Sequence, residues 1–121
     1  MQGELKLLAL LKGPDLVRSD VLLSFGDNEE LAVKAAIKWA WHHRRVKMDQ
    51  RVAAVHIGVK APHFSNILNG KKHLPPFKIN AFEWTVGNRA VSLTIERFRK
   101  VREEESALEL ARAIVSSRAG A

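Results

Sequence analysis

Between Asp49 and Gly70 the sequence leaves the backbone few choices. The Asp49 carboxylate is placed to accept free N–H groups of a helical first turn, so a short helix is predicted over roughly Gln50 to His56. Gly58 follows where that helix must reverse, a position suited to left-handed backbone, which glycine enters without steric cost. A second short helix is predicted from Ala61 to Leu68, with Pro62 in its first turn, where a missing N–H leaves no bond unmade. Phe64, Ile67 and Leu68 fall at i, i+3 and i+4 and form its inward stripe. Asn69-Gly70 ends it, and Lys71-Lys72 lead to a Pro75-Pro76 break. Two helices of about seven residues, joined by a three- or four-residue turn with glycine, make a helix-turn-helix pattern.

The remainder also reads as helix. No stretch sustains an apolar–polar alternation, and β-branched residues are scattered. Residues 3–12 read as a short helix stopped by Gly13-Pro14, and 15–24 as a second. Asp27 and Glu30 form a D-x-x-E capping box for a longer helix that should run to about Arg45. Val33, Ala36, Ile37, Ala40 and Trp41 make its apolar face; Lys34, Lys38 and His42 recur every fourth residue on another. Within 75–88, Phe77, Ala81 and Trp84 or Thr85 stand at helical spacing, with Gly87 as a stop and Asn88 as the next cap. Asn88 to about Ser117 reads as one long helix or two. Val91, Ile95, Phe98 and Val101 mark a stripe, Glu103-Glu104-Glu105 interrupts it, and Leu108, Ala111 and Val115 resume it. Ser106-x-x-Glu109 can open a new helix there or be helix interior. Trp39, Trp41 and Trp84 are read as core rather than as base-stacking residues.

Charge is concentrated in the same middle third. The chain of 121 residues carries a net +7. Residues 42–73 hold seven basic side chains against one acidic, whereas residues 1–41 hold five against six and residues 74–121 eight against six. A basic block inside a folded segment is the electrostatic footprint of a polyanion partner. With no cysteine, a disulfide framework, a thiol nucleophile and cysteine-built metal sites are excluded, which fits a reducing cytoplasm. The longest apolar run, Leu7 to Leu11, is five residues, too short for a membrane span. The five histidines contain no H-x-x-x-H pair, so neither metal nor cofactor is expected. Ser65 and His63, two apart on a helix, do not face each other, so no nucleophile is read there and no enzyme is expected.

The segment Gln50-x-x-Ala53-Ala54-x-x-Ile57-Gly58-Val59-Lys60-x-x-x-Phe64-Ser65-x-Ile67-x-Asn69-Gly70-Lys71 resembles the helix-turn-helix of the phage-repressor-like (Cro/CI, or XRE) regulators. The segment from Gly87-Asn88-Arg89-Ala90 is similar to the tail of small phage and prophage regulators, including activators of the CII kind. The resemblance implies that Ala54 lets the helices approach, that Gly58 makes the turn, and that Ile57, Val59, Phe64 and Ile67 fill the space between them. It implies that Gln50 holds a phosphate. The sequence departs from the pattern at Ala53, where leucine is usual, and at Phe64, which is bulkier than the usual isoleucine. Lys60 replaces a capping Ser or Thr, losing a cap and gaining a phosphate-seeking cation. Ala61 and Pro62 stand where the family commonly sends hydrogen-bonding side chains to base edges.

The resulting expectation is an all-α, lambda-repressor-like bundle of about five helices over residues 27–101, with an N-terminal helical extension (1–26) and a C-terminal helix (102–121). Its function would be sequence-dependent binding of double-stranded DNA to regulate transcription, with the helix of residues 61–68 in the major groove. Gln50, Lys60, Asn69, Lys71 and Lys72 would hold phosphates. Asn66, with His63 and Ser65, would read bases, and Ala61 or Pro62 would touch thymine methyls. A homodimer or higher oligomer is expected, joined through Leu5, Leu7, Leu8 and Leu11 or through Leu108 and Val115. RNA polymerase or a toxin are further candidate partners, and no membrane is. The alternatives are the antitoxin of a toxin–antitoxin pair and an interaction adaptor that has lost its DNA role.

Overall fold

The computed structural model describes residues 12–119. Its helices are α1 (Ser19–Ser24), α2 (Glu29–His42), α3 (Gln50–Ile57), α4 (Ala61–Leu68), α5 (Ile79–Val86) and α6 (Ala90–Ala119), with a 3-10 turn at Pro76–Lys78 leading into α5. The described chain is all-α. A single parallel bridge between Asp15 and Asn88 is the extended pairing found among the described residues. The helix expected over residues 3–12, with its leucine contacts, lies outside the described residues but for Lys12.

Side-chain caps mark the starts of α2, α3 and α6. The Asp49 side chain accepts from the Val52 N–H at 3.0 Å and caps α3. For α2 the cap is Asn28, whose Oδ1 accepts from the Leu31 N–H at 3.0 Å. This corrects the Asp27–Glu30 box by one residue: Asp27 instead pairs with Arg97 of α6 at 3.1 Å. The start of α6 has two side-chain acceptors. Asn88 Oδ1 accepts from the Ala90 N–H at 3.3 Å, and the buried Glu83 carboxylate of α5 accepts from the Ser92 N–H at 2.9 Å. Both take up first-turn N–H groups that the helix cannot bond itself.

Two boundaries differ from expectation, and the open choice between one and two C-terminal helices is decided. Helix α2 stops at His42, because His43 leaves helical backbone and Arg44 turns back, donating to the Trp41 carbonyl at 2.8 Å with its guanidinium 4.0 Å from that indole. Only the second half of 15–24 is helical. The Asp15 N–H donates to the Gly87 carbonyl at 2.8 Å and its carbonyl accepts from Arg89 N–H at 2.9 Å, which holds that stretch extended. Helix α6 runs unbroken through Glu103–Glu105, so Ser106 and Glu109 are helix interior and residues 101 and 102 share one helix.

The core lies among α2, α3, α4, α5 and the first turns of α6. Ala36, Ile37, Ala40 and Trp41 of α2 meet Ala53, Ala54 and Ile57 of α3 and Phe64, Ile67 and Leu68 of α4. Phe64 is its hub, edge-on to Trp41 at 5.5 Å and to Phe82 at 6.3 Å between ring centroids. On α5 the buried apolar residues are Phe82 and Val86, which corrects the Phe77–Ala81–Trp84 stripe; Phe77 is 79% and Trp84 47% exposed. Both spacings are helical, and only contact with Phe64 and α2 selects between them. Trp84 is therefore not a core residue, Trp39 is half-buried and stacked on His43, and Trp41 alone of the three is buried.

Arg45 joins the ends of this core. Its guanidinium donates to the Gly13 carbonyl and, at 2.9 Å, to the Gly87 carbonyl, and it pairs with Asp15 at 3.7 Å. Its own N–H donates to the Val86 carbonyl at 2.7 Å.

Candidate nucleic-acid interface

Helices α3 and α4, eight residues each, are joined by Gly58, Val59 and Lys60. Gly58 has φ 81° and ψ 36°, and its N–H donates to the Ala54 carbonyl at 2.9 Å, closing α3. Val59 N–H also donates to Ala54, at 3.0 Å, so the turn leaves at one defined angle. Ala53 and Ala54 are fully buried at the crossing, and small side chains there let the two backbones approach.

Burying Phe64, Ile67 and Leu68 leaves Pro62, Asn66 and Asn69 on the opposite side of α4, at i, i+4 and i+7. Pro62 and Asn69 are exposed; Asn66 is half-buried, as are His63 and Ser65 that flank this line. Ala61 turns partly inward and packs on the core, which leaves Pro62 as the apolar side chain in the line. Lys60 stands at the amino end of α4 without a side-chain cap bond, so that end presents unbonded N–H groups beside an ammonium, an arrangement that favours anions. Past the carboxyl end, the Lys71 and Lys72 N–H groups both donate to the Asn66 carbonyl, at 2.9 and 3.2 Å, and hold those two exposed lysines against α4. Cations thus bracket a helix about 12 Å long.

Gln50 is exposed at the start of α3, at the far end of the pair from the Gly58 turn. Asp49 beside it already bonds a first-turn N–H, so an anion there would be met by the Gln50 amide rather than by a bare helix end.

Two cations that sequence reasoning did not assign to the site lie beside it. Lys34 of α2 packs along the Gly70 turn, its Cδ 3.7 Å from where a Cβ at residue 70 would stand, and it pairs with Glu30 at 3.4 Å. The Lys78 ammonium lies over the Gly58 turn, 2.8 Å from where a Cβ there would be. The every-fourth-residue stripe of α2 was a signal for Lys34; Lys78 had none. Conversely, Arg44 and Arg45, part of the basic block, are engaged in packing and carbonyl contacts and lie outside this collar. From Gln50 to Phe82 the chain contains no Asp or Glu, so no carboxylate of this segment opposes an anion.

The outer face of α3 is a different surface. Val52 and Val55 are exposed, Val55 to 79%, and Val52 with Met48, His56, Ala81 and Trp84 lines an open groove of about 630 Å³ between α3 and α5. Among the described residues no group of three or more His, Asp or Glu side chains is placed to hold a metal ion, and no helix is long and apolar enough to cross a membrane. Compared with protein-family models, curated proteins and solved structures, the chain has no significant match.

Proposed function

We propose that this chain binds double-stranded DNA as a helix-turn-helix transcription regulator of the phage-repressor-like kind, with α4 in the major groove. The observation that carries the reading is the outward line Pro62–Asn66–Asn69, bracketed by Lys60 and by Lys71-Lys72, in a segment without a carboxylate. An α-helix fits the major groove, and Asn offers a bidentate donor–acceptor pair to adenine. Lys60, Lys71 and Lys72, with Gln50 and Asn69, contact phosphates and set the register. Base-reading side chains are few on α4, so specificity comes from two copies on a two-fold operator with half-sites about one helical turn apart.

The test is binding to random duplex DNA across a salt series. A dimer that neutralises about six to ten phosphates loses roughly a thousandfold or more in affinity between about 50 and 200 mM salt. The Lys60→Glu/Lys71→Glu double variant should bind far more weakly and with a shallower salt slope. Wild-type binding by that variant would refute the docking of α4. The exposed Val52 and Val55 and the adjoining groove favour a second reading, a protein-interaction adaptor. On that reading, wild-type protein shows no salt-dependent DNA affinity.

A further inference from the structure

Helix α6 outruns the body it packs on. Ala90, Val91 and Thr94 are buried and Ile95 packs on the core, but every residue from Arg99 to Arg118 is exposed. Among the described residues, the last side chain tying α6 to the body is Arg102, paired with Glu29 of α2. Beyond it the helix continues for about 25 Å. An isolated segment of this length is marginal as a helix in water and needs a packed face.

Such a face is present. Ala107, Leu110, Ala111, Ile114 and Val115 fall at i, i+3, i+4, i+7 and i+8, with Leu108 at their edge. Leu110 is 63% and Ile114 48% exposed. Glu104 and Arg118 lie on the same line at either end, each seven residues from Ala111. At about 100° per residue Glu109 falls on the opposite side and Arg112 on the flank beyond Leu108, so no charge lies on the line between the two end charges.

We infer that the carboxyl-terminal half of α6 pairs antiparallel with the same segment of a second copy, about a two-fold axis near Ala111. This arrangement is self-complementary, as a two-fold interface must be. It lays Ala107 against Val115 of the second copy and Leu108 against its Ile114, with Ala111 at the crossing, where a small side chain permits close approach. It sets Glu104 beside Arg118 of the second copy at both ends. A parallel pairing would instead oppose Glu104 to Glu104 and Arg118 to Arg118, and like charges at a helix interface are unfavourable. The charge order therefore selects the antiparallel arrangement. The pairing does not depend on DNA binding, and it would supply the dimer that the DNA reading needs.

The chain has no native cysteine, so introduced thiols report without interference. Light scattering on the 121-residue chain at about 100 µM should give twice the 13.6 kDa of one chain. The Leu110→Glu/Ile114→Glu variant should dimerise at least about tenfold more weakly with the body's melting unchanged, because these side chains touch no core residue. On oxidation, Ala111→Cys should cross-link to itself. Glu104→Cys alone should not, because its two copies lie about 21 Å apart along the pair. A mixture of Glu104→Cys and Arg118→Cys should cross-link as a heterodimer. The inference is overturned by a monomer at that concentration, by dimers that survive the Leu110→Glu/Ile114→Glu changes, or by Glu104→Cys cross-linking to itself as readily as Ala111→Cys.

Discussion

Substituting Gly87 by alanine should cost more than any other glycine-to-alanine change among the described residues, for a reason that can be isolated. Gly87 closes α5 at φ 85°, and an L-residue in left-handed backbone costs about 1–2 kcal/mol. A Cβ there would stand 2.7 Å from both Cβ and Nε of Arg45. The Arg45 Cβ sits next to its own backbone, whose N–H bonds the Val86 carbonyl, so it cannot swing away as the end of a free side chain would. Relief must move the residue-45 backbone or the guanidinium, which releases the Gly13 and Gly87 carbonyls. Overpacking of this kind adds about 1–3 kcal/mol, for a total of roughly 2–5 kcal/mol. Gly26 provides the reference, because its φ is 94° and nothing lies within 4 Å of a Cβ built there. Gly26→Ala should therefore lose only the backbone term of about 1–2 kcal/mol. Urea denaturation followed by far-ultraviolet circular dichroism reads both variants; at about 3–6 °C per kcal/mol, thermal melts separate them as well. Equal losses for the two variants would show that the Arg45 contact is slack and that the clamp contributes nothing.

Two further outcomes follow from the fold. Phe64→Ala removes a fully buried ring that meets Trp41 and Phe82, and should destabilise by about 3–5 kcal/mol in the same denaturation assay; a loss under about 1 kcal/mol would contradict its place as the hub. Asp49→Ala removes the α3 cap and should cost about 1 kcal/mol, with Asp49→Ser retaining most of it; equal losses for both would mean that the carboxylate acts by charge rather than as a cap acceptor.

Sequence reasoning went furthest where the physics is local. A cap needs only the first turn beside it, and a left-handed turn needs only glycine, so α3, the Gly58 turn and α4 could be placed from Asp49, Gly58, Pro62 and Asn69-Gly70 alone. The same reasoning slipped at Asp27, because two adjacent residues could both cap and Arg97, distant in sequence, draws Asp27 away. It chose the wrong face of α5 because Phe77–Ala81–Trp84 and Phe82–Val86 are equally helical. Within the candidate site, the lysines bracketing α4 were legible as a charge excess. The diversion of Arg44 and Arg45 into the body, and the approach of Lys78 to the Gly58 turn, were not.

By itself, then, the sequence determined an all-helical chain with a helix pair in its most basic third, the first helix capped and the second opened by Pro62, because helix periodicity, caps and turn glycines act over a few residues. Tertiary structure decided which faces are buried, which cations remain outward and which are spent on carbonyls. It also left the second half of α6 without a neighbour among the described residues. Those outcomes depend on residues far apart in sequence, such as Glu83 with Ser92, Arg45 with Gly13 and Gly87, and Phe64 with Phe82, meeting in one place. No local pattern encodes such meetings, because the energy that selects them is burial shared across the whole core.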